Sequence, residues 1–356
     1  MGEIFKNILI IKPSSLGDIV LALPVLSALR RNFPKAKIGW LIRPEFAPLL
    51  EGHPALDNII LFDRRFLGKA WYKPRALACL LSLIRRLRYC KFDAVIDLQG
   101  LFRTASLAWL SGCKKRFGMT DARELAHIFY SEKIPRTPDC IHLVDYYLKV
   151  VQATGASDVQ ASFDLPLQPQ AVDSIGRLLA RHKVEPSNYA VFIPGSAHRD
   201  KCWPVASFAA LADRIAPRFG FSIVATGRDS ERGMVRNLVN LANVPITNLA
   251  GLTDLPGLMA LLKSAKIVVS NDTGPGHIAA ALGTPLVLIF GRSNPLRVGP
   301  YRRSHCVVAI EPESRGLEYN SNDPKHDVRA ITVQQVYRKV CEQLNQKPIV
   351  SNGVNR

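Results

Sequence analysis

Short, almost wholly apolar blocks alternate along this chain with longer segments whose apolar positions recur every three or four residues. The blocks Ile8–Lys12, Lys37–Ile42, Asn58–Phe62 and Asp93–Leu98 read as strands. The segments Ile19–Arg31, Arg75–Tyr89 and Leu101–Leu110 read as helices. Strands that are apolar on both faces need cover on both faces, and their alternation with helices predicts a parallel sheet between helical layers. The pattern loosens over residues 160–187, where Pro166, Pro169 and Pro186 bracket one helical segment, Ala171–Lys183, as expected of a connection between domains. It then restarts, with strands at Tyr189–Ile193, Ser222–Thr226, Lys266–Ser270 and Leu286–Phe290. Helices are expected at Val205–Arg218, Ser230–Leu241, Leu255–Ser264, Gly276–Leu282 and, after a polar loop, Thr332–Leu344. The reading divides the chain into residues 1–170, residues 171–330, and a C-terminal helix and tail over 331–356. Open parallel sheets bind ligands beyond the carboxyl ends of their strands, so a cleft between two facing halves is the expected site.

Composition supports two packed domains: of 356 residues, 47% are apolar and 21% charged, which excludes a disordered chain. Seven cysteines without a C-x-x-C pair argue against a disulfide framework or a structural zinc site and fit a reducing compartment. Ile8 to Ile11 is too short for a secretory apolar region. The longest uncharged run, Thr273 to Gly291, contains His277 and is broken by Gly283-Thr284-Pro285, so it reads as a helix, a turn and a strand rather than a membrane span. The formal charge of +18 predicts an anionic partner: nucleic acid, anionic lipid or a phosphorylated substrate. Nine Lys or Arg and no acid fall between Arg64 and Lys91. No RRM-like aromatic signature, helix-turn-helix or zinc spacing accompanies them, which argues against nucleic acid.

The chemistry concentrates in loops that follow strands. Lys12-Pro13-Ser14-Ser15-Leu16-Gly17-Asp18 leads from the first strand into a helix, where backbone N–H groups favour an anion; the spacing is not that of a Walker loop. Asp18 has two compatible readings, an N-cap accepting a bond from near Leu21 and a general base that takes a proton from a sugar hydroxyl. Gly195 and Ser196 allow close backbone approach, and Lys201 supplies a cation or is an ordinary solvated lysine. Asn271-Asp272-Thr273-Gly274-Pro275-Gly276-His277 forms a second phosphate cradle, with Pro275 fixing a helix start. There Asp272 serves a sugar or a cap, and His277 a phosphate or the core. No D-x-D motif is present to bring a metal to a leaving diphosphate, a task that Lys201 and helix N-termini can take.

These segments resemble glycosyltransferase family 9, the ADP-heptose:lipopolysaccharide heptosyltransferases. The resemblance runs over roughly residues 6–310 and rests on ILIIKPSSLGDIVLALPVL at the start, VIDLQGLFRTA at 95–105, GSAHRDKCWP at 195–204 and VVSNDTGPGHIAAALGTP at 268–285. It implies an α/β fold of GT-B architecture, with two Rossmann-like doubly wound parallel-sheet domains facing across a cleft. The acceptor would be held by the N-terminal domain and the ADP-sugar by the C-terminal one. It further implies an inverting displacement with no metal or other cofactor, ADP-heptose being the co-substrate. By motif, Asp18 matches the general base and Lys201 the lysine on the donor diphosphate. Asp272 matches a contact to the heptose, and Thr273, Gly274 and His277 line the diphosphate; Ser14 and Ser15 of the first loop are further candidates for binding the donor. Ser196 keeps the hydroxyl of a usual threonine, whereas Ala197 lacks one. Glu231 matches a carboxylate on the ribose, and Leu252-Thr253 the loop that reads adenine.

For the acceptor, the resemblance implies Gln99, Arg103 and Arg123, while the basic segment with Arg64, Arg65 and Lys69 and the interleaved Phe66, Trp71 and Tyr72 would face lipid phosphates or the inner leaflet. The function implied is transfer of L-glycero-D-manno-heptose to the inner core of lipopolysaccharide, on Kdo-lipid A or on the first heptose. The enzyme would be cytoplasmic and peripheral on the inner membrane. The alternatives are a family 9 transferase with another donor or a protein acceptor, and an ADP-sugar-binding protein without turnover.

Overall fold

Each of the predicted strands forms, and each belongs to one of two parallel six-stranded sheets. The computed structural model describes residues 5–316 and 318–345; the tail expected beyond the last helix lies outside the described residues. The chain divides into two units, the first ending at Pro169 and including Leu296–Tyr301, the second comprising Gln170–Pro295 and the described residues from Arg302 onward.

The first unit contains strands β1 (Asn7–Ile11), β2 (Lys37–Ile42), β3 (Asn58–Leu61), β4 (Ala94–Asp97), β5 (Lys115–Met119) and β6 (Glu132–Ile134). Its helices are α1 (Leu16–Asn32), α2 (Arg64–Leu67), α3 (Pro74–Tyr89), α4 (Phe102–Leu110) and α5 (Leu143–Gln152). The strand order is β3-β2-β1-β4-β5-β6, all parallel. Ile8 to Ile11 of β1 are buried, as a strand covered on both faces requires. One core packs Leu9, Ile11, Leu41 and Val95 of the strands against Leu83 and Leu87 of α3 and Leu107 of α4. Each such side chain stabilises the unit by roughly 1.5–3 kcal/mol, enough to fix the register of a strand whose neighbours all carry them.

The second unit repeats the plan. Its helices begin with α6 (Pro169–Arg181) and continue with α7 (Val205–Phe219), α8 (Arg232–Leu241), α9 (Leu255–Lys263) and α10 (Gly274–Ala281); α11 (Pro295–Val298) runs into the segment Leu296–Tyr301 that belongs to the first unit, and α12 (Val333–Asn345) returns to the second. The strands are β7 (Tyr189–Ile193), β8 (Ser222–Ala225), β9 (Ile246–Asn248), β10 (Ile267–Asn271), β11 (Leu286–Phe290) and β12 (Val307–Ala309). Their order, β12-β11-β10-β7-β8-β9, is the first sheet's order when counted from β7. Val336 and Val340 of α12 join Phe208 and Ile215 of α7 in the core. Thr273 to Gly291 resolves into α10, a turn at Gly283 (φ +76°) and β11. Among the described residues no helix is long and apolar enough to cross a membrane.

Candidate active site

In each sheet the strand order reverses between two central strands, and the ligand crevice of such sheets opens at their carboxyl ends. In the first unit these are β1 and β4, paired through Ile11 and Asp97. The chain leaves β1 through Lys12, and Ser15, in extended backbone, is the N-cap of α1. The helix therefore begins at Leu16, ahead of Asp18, and Asp18 is not the cap expected from the sequence. It occupies the third helical position and reaches back: its Oδ2 accepts the Ser15 N–H at 3.2 Å and the Ser15 hydroxyl at 3.0 Å. The ammonium of Lys12 approaches the same oxygen at 3.8 Å. Oδ1 has no partner among the described residues, and the side chain keeps 27% exposure. One oxygen is fixed and the other is not.

Lys12 is buried, with Nζ 5.7 Å from the centre of the Tyr147 ring on α5. Burial pushes its amine below the ordinary lysine range; Asp18 and Asp97 oppose this, and Arg123 adds to it. Asp97 is buried too, and burial raises its carboxyl against the bonds it accepts from the N–H groups of Gln99 (2.9 Å) and Gly100 (3.3 Å) and the hydroxyl of Tyr130 (2.8 Å). These bonds hold the loop that carries Gln99, whose buried Oε1 has no partner among the described residues. The Gly100 carbonyl accepts the N–H of Arg123 at 2.9 Å. Gln99 and Arg123 thus share one corner with Lys12 and Asp18.

Arg64 and Arg103 fall in a second grouping with Arg43, a residue the sequence reading passed over. Partial burial and the charges of Arg103 and Arg43 press the Arg64 guanidinium below its usual range; Arg65 adds to this and Glu124 relieves it. Glu124 pairs with Arg103 at 3.5 Å, and Arg43 with Glu45. Like charges so crowded favour an anionic ligand. Lys69 stands exposed in the turn after α2.

In the second unit the reversal lies between β7 and β10. Asn271 closes β10 and ties the two loops together: its Nδ2 donates to the Pro194 carbonyl at 2.8 Å and its Oδ1 accepts the Trp203 N–H at 3.0 Å. Thr273 caps α10, which starts at Gly274 rather than Gly276, with Pro275 in its first turn. The Lys201 ammonium lies 2.6 Å from Asp272 Oδ2, and His277 Nε2 lies 3.4 Å from Oδ1. Lys201 is therefore no solvated surface lysine, nor a free cation, but half of an ion pair. Burial pushes the Asp272 carboxyl up, yet the bond from His277 and the charges of Lys201 and His277 outweigh it and hold the carboxyl well below the usual range. Nδ1 of His277 is buried with no partner among the described residues.

Glu231 lies against the Gly195-Ser196 loop. A Cβ on Gly195 would meet the Glu231 carboxylate at 2.4 Å, so a side chain there would displace that carboxylate. Glu231 accepts the Arg228 N–H at 2.7 Å. Gly251 (φ +72°) donates its N–H to the Gly227 carbonyl at 2.8 Å, which joins the Leu252-Thr253 loop to the turn that carries Glu231. Thr226, beside that turn, is buried with its hydroxyl unpartnered among the described residues. Ser196, Lys201, Glu231, Leu252, Thr253, Asp272, Thr273, Gly274 and His277 all lie in the second unit, whereas Ser14 and Ser15 lie with Asp18 in the first.

Comparison with known proteins gives concordant results. The family model described as "Glycosyltransferase family 9 (heptosyltransferase)" matches residues 80–326. Lipopolysaccharide heptosyltransferase 1 of Pseudomonas aeruginosa is 33% identical over 86% of this chain and 84% of its own length. The glycosyl transferase family 9 structure from Veillonella parvula superposes with a TM-score of 0.82 at 24% identity, covering 97% of this chain and 98% of that one. The E. coli heptosyltransferase WaaC with ADP gives 0.76 at 26% identity, covering 95% and 99%.

Proposed function

The chain belongs to glycosyltransferase family 9 and is a glycosyltransferase of GT-B fold, and from that premise we propose that it transfers heptose from ADP-heptose to the inner core of lipopolysaccharide. The observation that carries the reading is Asp18, a carboxylate with one oxygen held by three groups of two residues, Ser15 and Lys12, and the other without a partner among the described residues, at the reversal point of the first sheet. In this reading Asp18 Oδ1 takes the proton of an acceptor hydroxyl as its oxygen attacks the anomeric carbon. The bond from that carbon to the diphosphate breaks with inversion, and its electron pair leaves on ADP. Charge on the departing diphosphate meets Lys201, His277 and the N–H groups at the start of α10, and no metal takes part. Glu231 would hold the ribose, Leu252-Thr253 the adenine and Asp272 the sugar, while Ser14 and Ser15 offer hydroxyls to the donor.

The acceptor is anionic, gripped by Gln99 and Arg123 near the base and by Arg64, Arg65, Arg103 and Lys69 further out. What supports this is the grouping of Arg43, Arg64, Arg65 and Arg103, whose positive charge exceeds that of the two carboxylates paired there, Glu45 and Glu124. An enzyme with such an acceptor works at the cytoplasmic face of the inner membrane. The test offers ADP-heptose with Kdo-lipid A, and separately with a heptosylated acceptor, and reads transfer by mass spectrometry. A mass increase of one heptose on either acceptor is expected. Tight ADP-heptose binding without transfer to any acceptor would overturn the reading.

A further inference from the structure

The first unit exposes a ridge of large apolar side chains that neither core nor site absorbs. Phe102 and Trp109 lie seven residues apart on α4, hence on one face two turns apart. A 3₁₀ turn, Ala126–Phe129, packs beside them, with the Phe129 ring 5.2 Å from Phe102 and 6.3 Å from Trp109 between ring centres. Leu125 and Ile128 stand on this turn, and the four side chains are between 49% and 65% exposed. The turn is built to be there. Arg116 Nε donates to the Phe129 carbonyl at 2.6 Å, and Glu124 and Leu125 both adopt left-handed backbone (φ 55° and 57°), which a leucine seldom does. Scattered exposed apolar residues are ordinary; a contiguous ridge of aromatic and aliphatic groups marks an interaction surface.

Charge selects the occupant. Around the ridge four arginines, Arg103, Arg116, Arg123 and Arg136, stand against two acids, Glu124 paired with Arg103 and Asp121 with Arg136, which leaves a positive excess. A second copy of a chain with formal charge +18 would bring like charges together across the ridge. A bilayer rich in anionic headgroups offers the opposite: an apolar layer for Phe102, Trp109, Leu125 and Ile128 and phosphates for the arginines. We propose that the outer face of α4 and the turn after Leu125 dock this enzyme onto an anionic lipid bilayer, the ridge entering the boundary between headgroups and acyl chains. This deepens the proposed function, since the ridge adjoins Arg103 of the acceptor grouping, but its evidence is separate.

Tryptophan fluorescence tests it. Trp40 and Trp203 are buried, so in Trp71→Phe the responsive indole is Trp109. With vesicles of phosphatidylglycerol and phosphatidylcholine brominated on the acyl chains, Trp109 emission should shift to the blue and be quenched. Leu125→Asn with Ile128→Ser, both at exposed positions, should melt as the parent does and lose vesicle affinity by about tenfold or more. Transfer to a water-soluble, deacylated acceptor should be the same in parent and variant. Sedimentation with vesicles without Trp109 quenching, or parent-like affinity in the double variant, would overturn the proposal. So would a lipid-free dimer of the parent that the double variant abolishes. If the parent fails to transfer to any acceptor while the ridge still quenches, the proposed function falls and the docking surface stands.

Discussion

Lys201→Met removes an ammonium 2.6 Å from a carboxylate whose side chain is 6% exposed. At an effective dielectric of about 20 the gross attraction at that distance is roughly 6 kcal/mol, much of it offset by the cost of desolvating both groups. Breaking a fully buried pair costs about 3–5 kcal/mol. Here Lys201 is 22% exposed and His277 stays at 3.4 Å, so a loss of about 1–3 kcal/mol is expected. For a unit of this size that lowers Tm by roughly 2–12 °C, read by calorimetry. The pH dependence has a definite sign. A carboxyl depressed in the folded state contributes stability that is complete above its unfolded pKa, near 3.8, and fades as pH falls below it. The Tm gap between parent and variant should therefore be level from pH 8 to about 5 and narrow below about 4. In the same variant ADP affinity should fall about ten- to hundredfold, as for a lost charge-assisted bond. Asp272→Asn, which releases the ammonium, should bind ADP at least as tightly as the parent. Unchanged melting and unchanged ADP affinity in Lys201→Met, or a gap that persists undiminished into acid, would refute the reasoning.

Asp18→Asn keeps the bonds from Ser15 but cannot accept a proton at neutral pH, so kcat should fall about 10²–10⁴-fold with donor KM roughly held, in steady-state assays at several donor concentrations. Gly195→Ala would push the Glu231 carboxylate from its place beside the loop; isothermal titration should show ADP binding weakened, with little change in Tm. Activity should survive excess EDTA, because the charge on the departing diphosphate is met by Lys201, His277 and the start of α10; loss in EDTA that magnesium or manganese restores would count against this.

The sheets were legible where strands are long and buried on both faces, as in β1, β2, β7, β10 and β11. The missed strands have particular causes. In β5, Gly118 leaves the space that the Tyr130 ring fills, and Lys115 and Arg116 break the apolar run. β6, β9 and β12 are three-residue strands at sheet edges, too short for a period to register. α5 was missed because its cap is His142, whose Nδ1 accepts the Val144 N–H, and no start signal of the usual residue types precedes it. At the site, the loops were legible because glycines and polar residues interrupt apolar strands at their ends. The Ser15-x-x-Asp18 spacing of a capping box was also there to read, three residues ahead of the start assigned from the sequence. The pairing of Lys201 with Asp272, 71 residues apart, and the convergence of Arg43 with Arg64 and Arg103 depend on sheet order, which no local pattern carries.

The repeated sheet order also sets two carboxylates in comparable places, and the proposal of Asp18 as base rests on the contrast between them. Each unit places an aspartate at its reversal point and a lysine against it: Asp18 with Lys12, Asp272 with Lys201. The pairs differ in what they leave open. Asp272 has a cation or imidazole on each oxygen, is almost wholly buried, and is held far below the usual carboxylate range, which makes it a poor acceptor of a proton. Its arrangement suits a clamp that positions Lys201 and His277. Asp18 receives its three contacts on one oxygen, with the Lys12 ammonium at 3.8 Å, and its other oxygen has no partner among the described residues. A base must be both fixed and accessible; of the two, Asp18 is the more exposed (27% against 6%) and keeps an unpartnered oxygen, which is the ground for proposing it as the base.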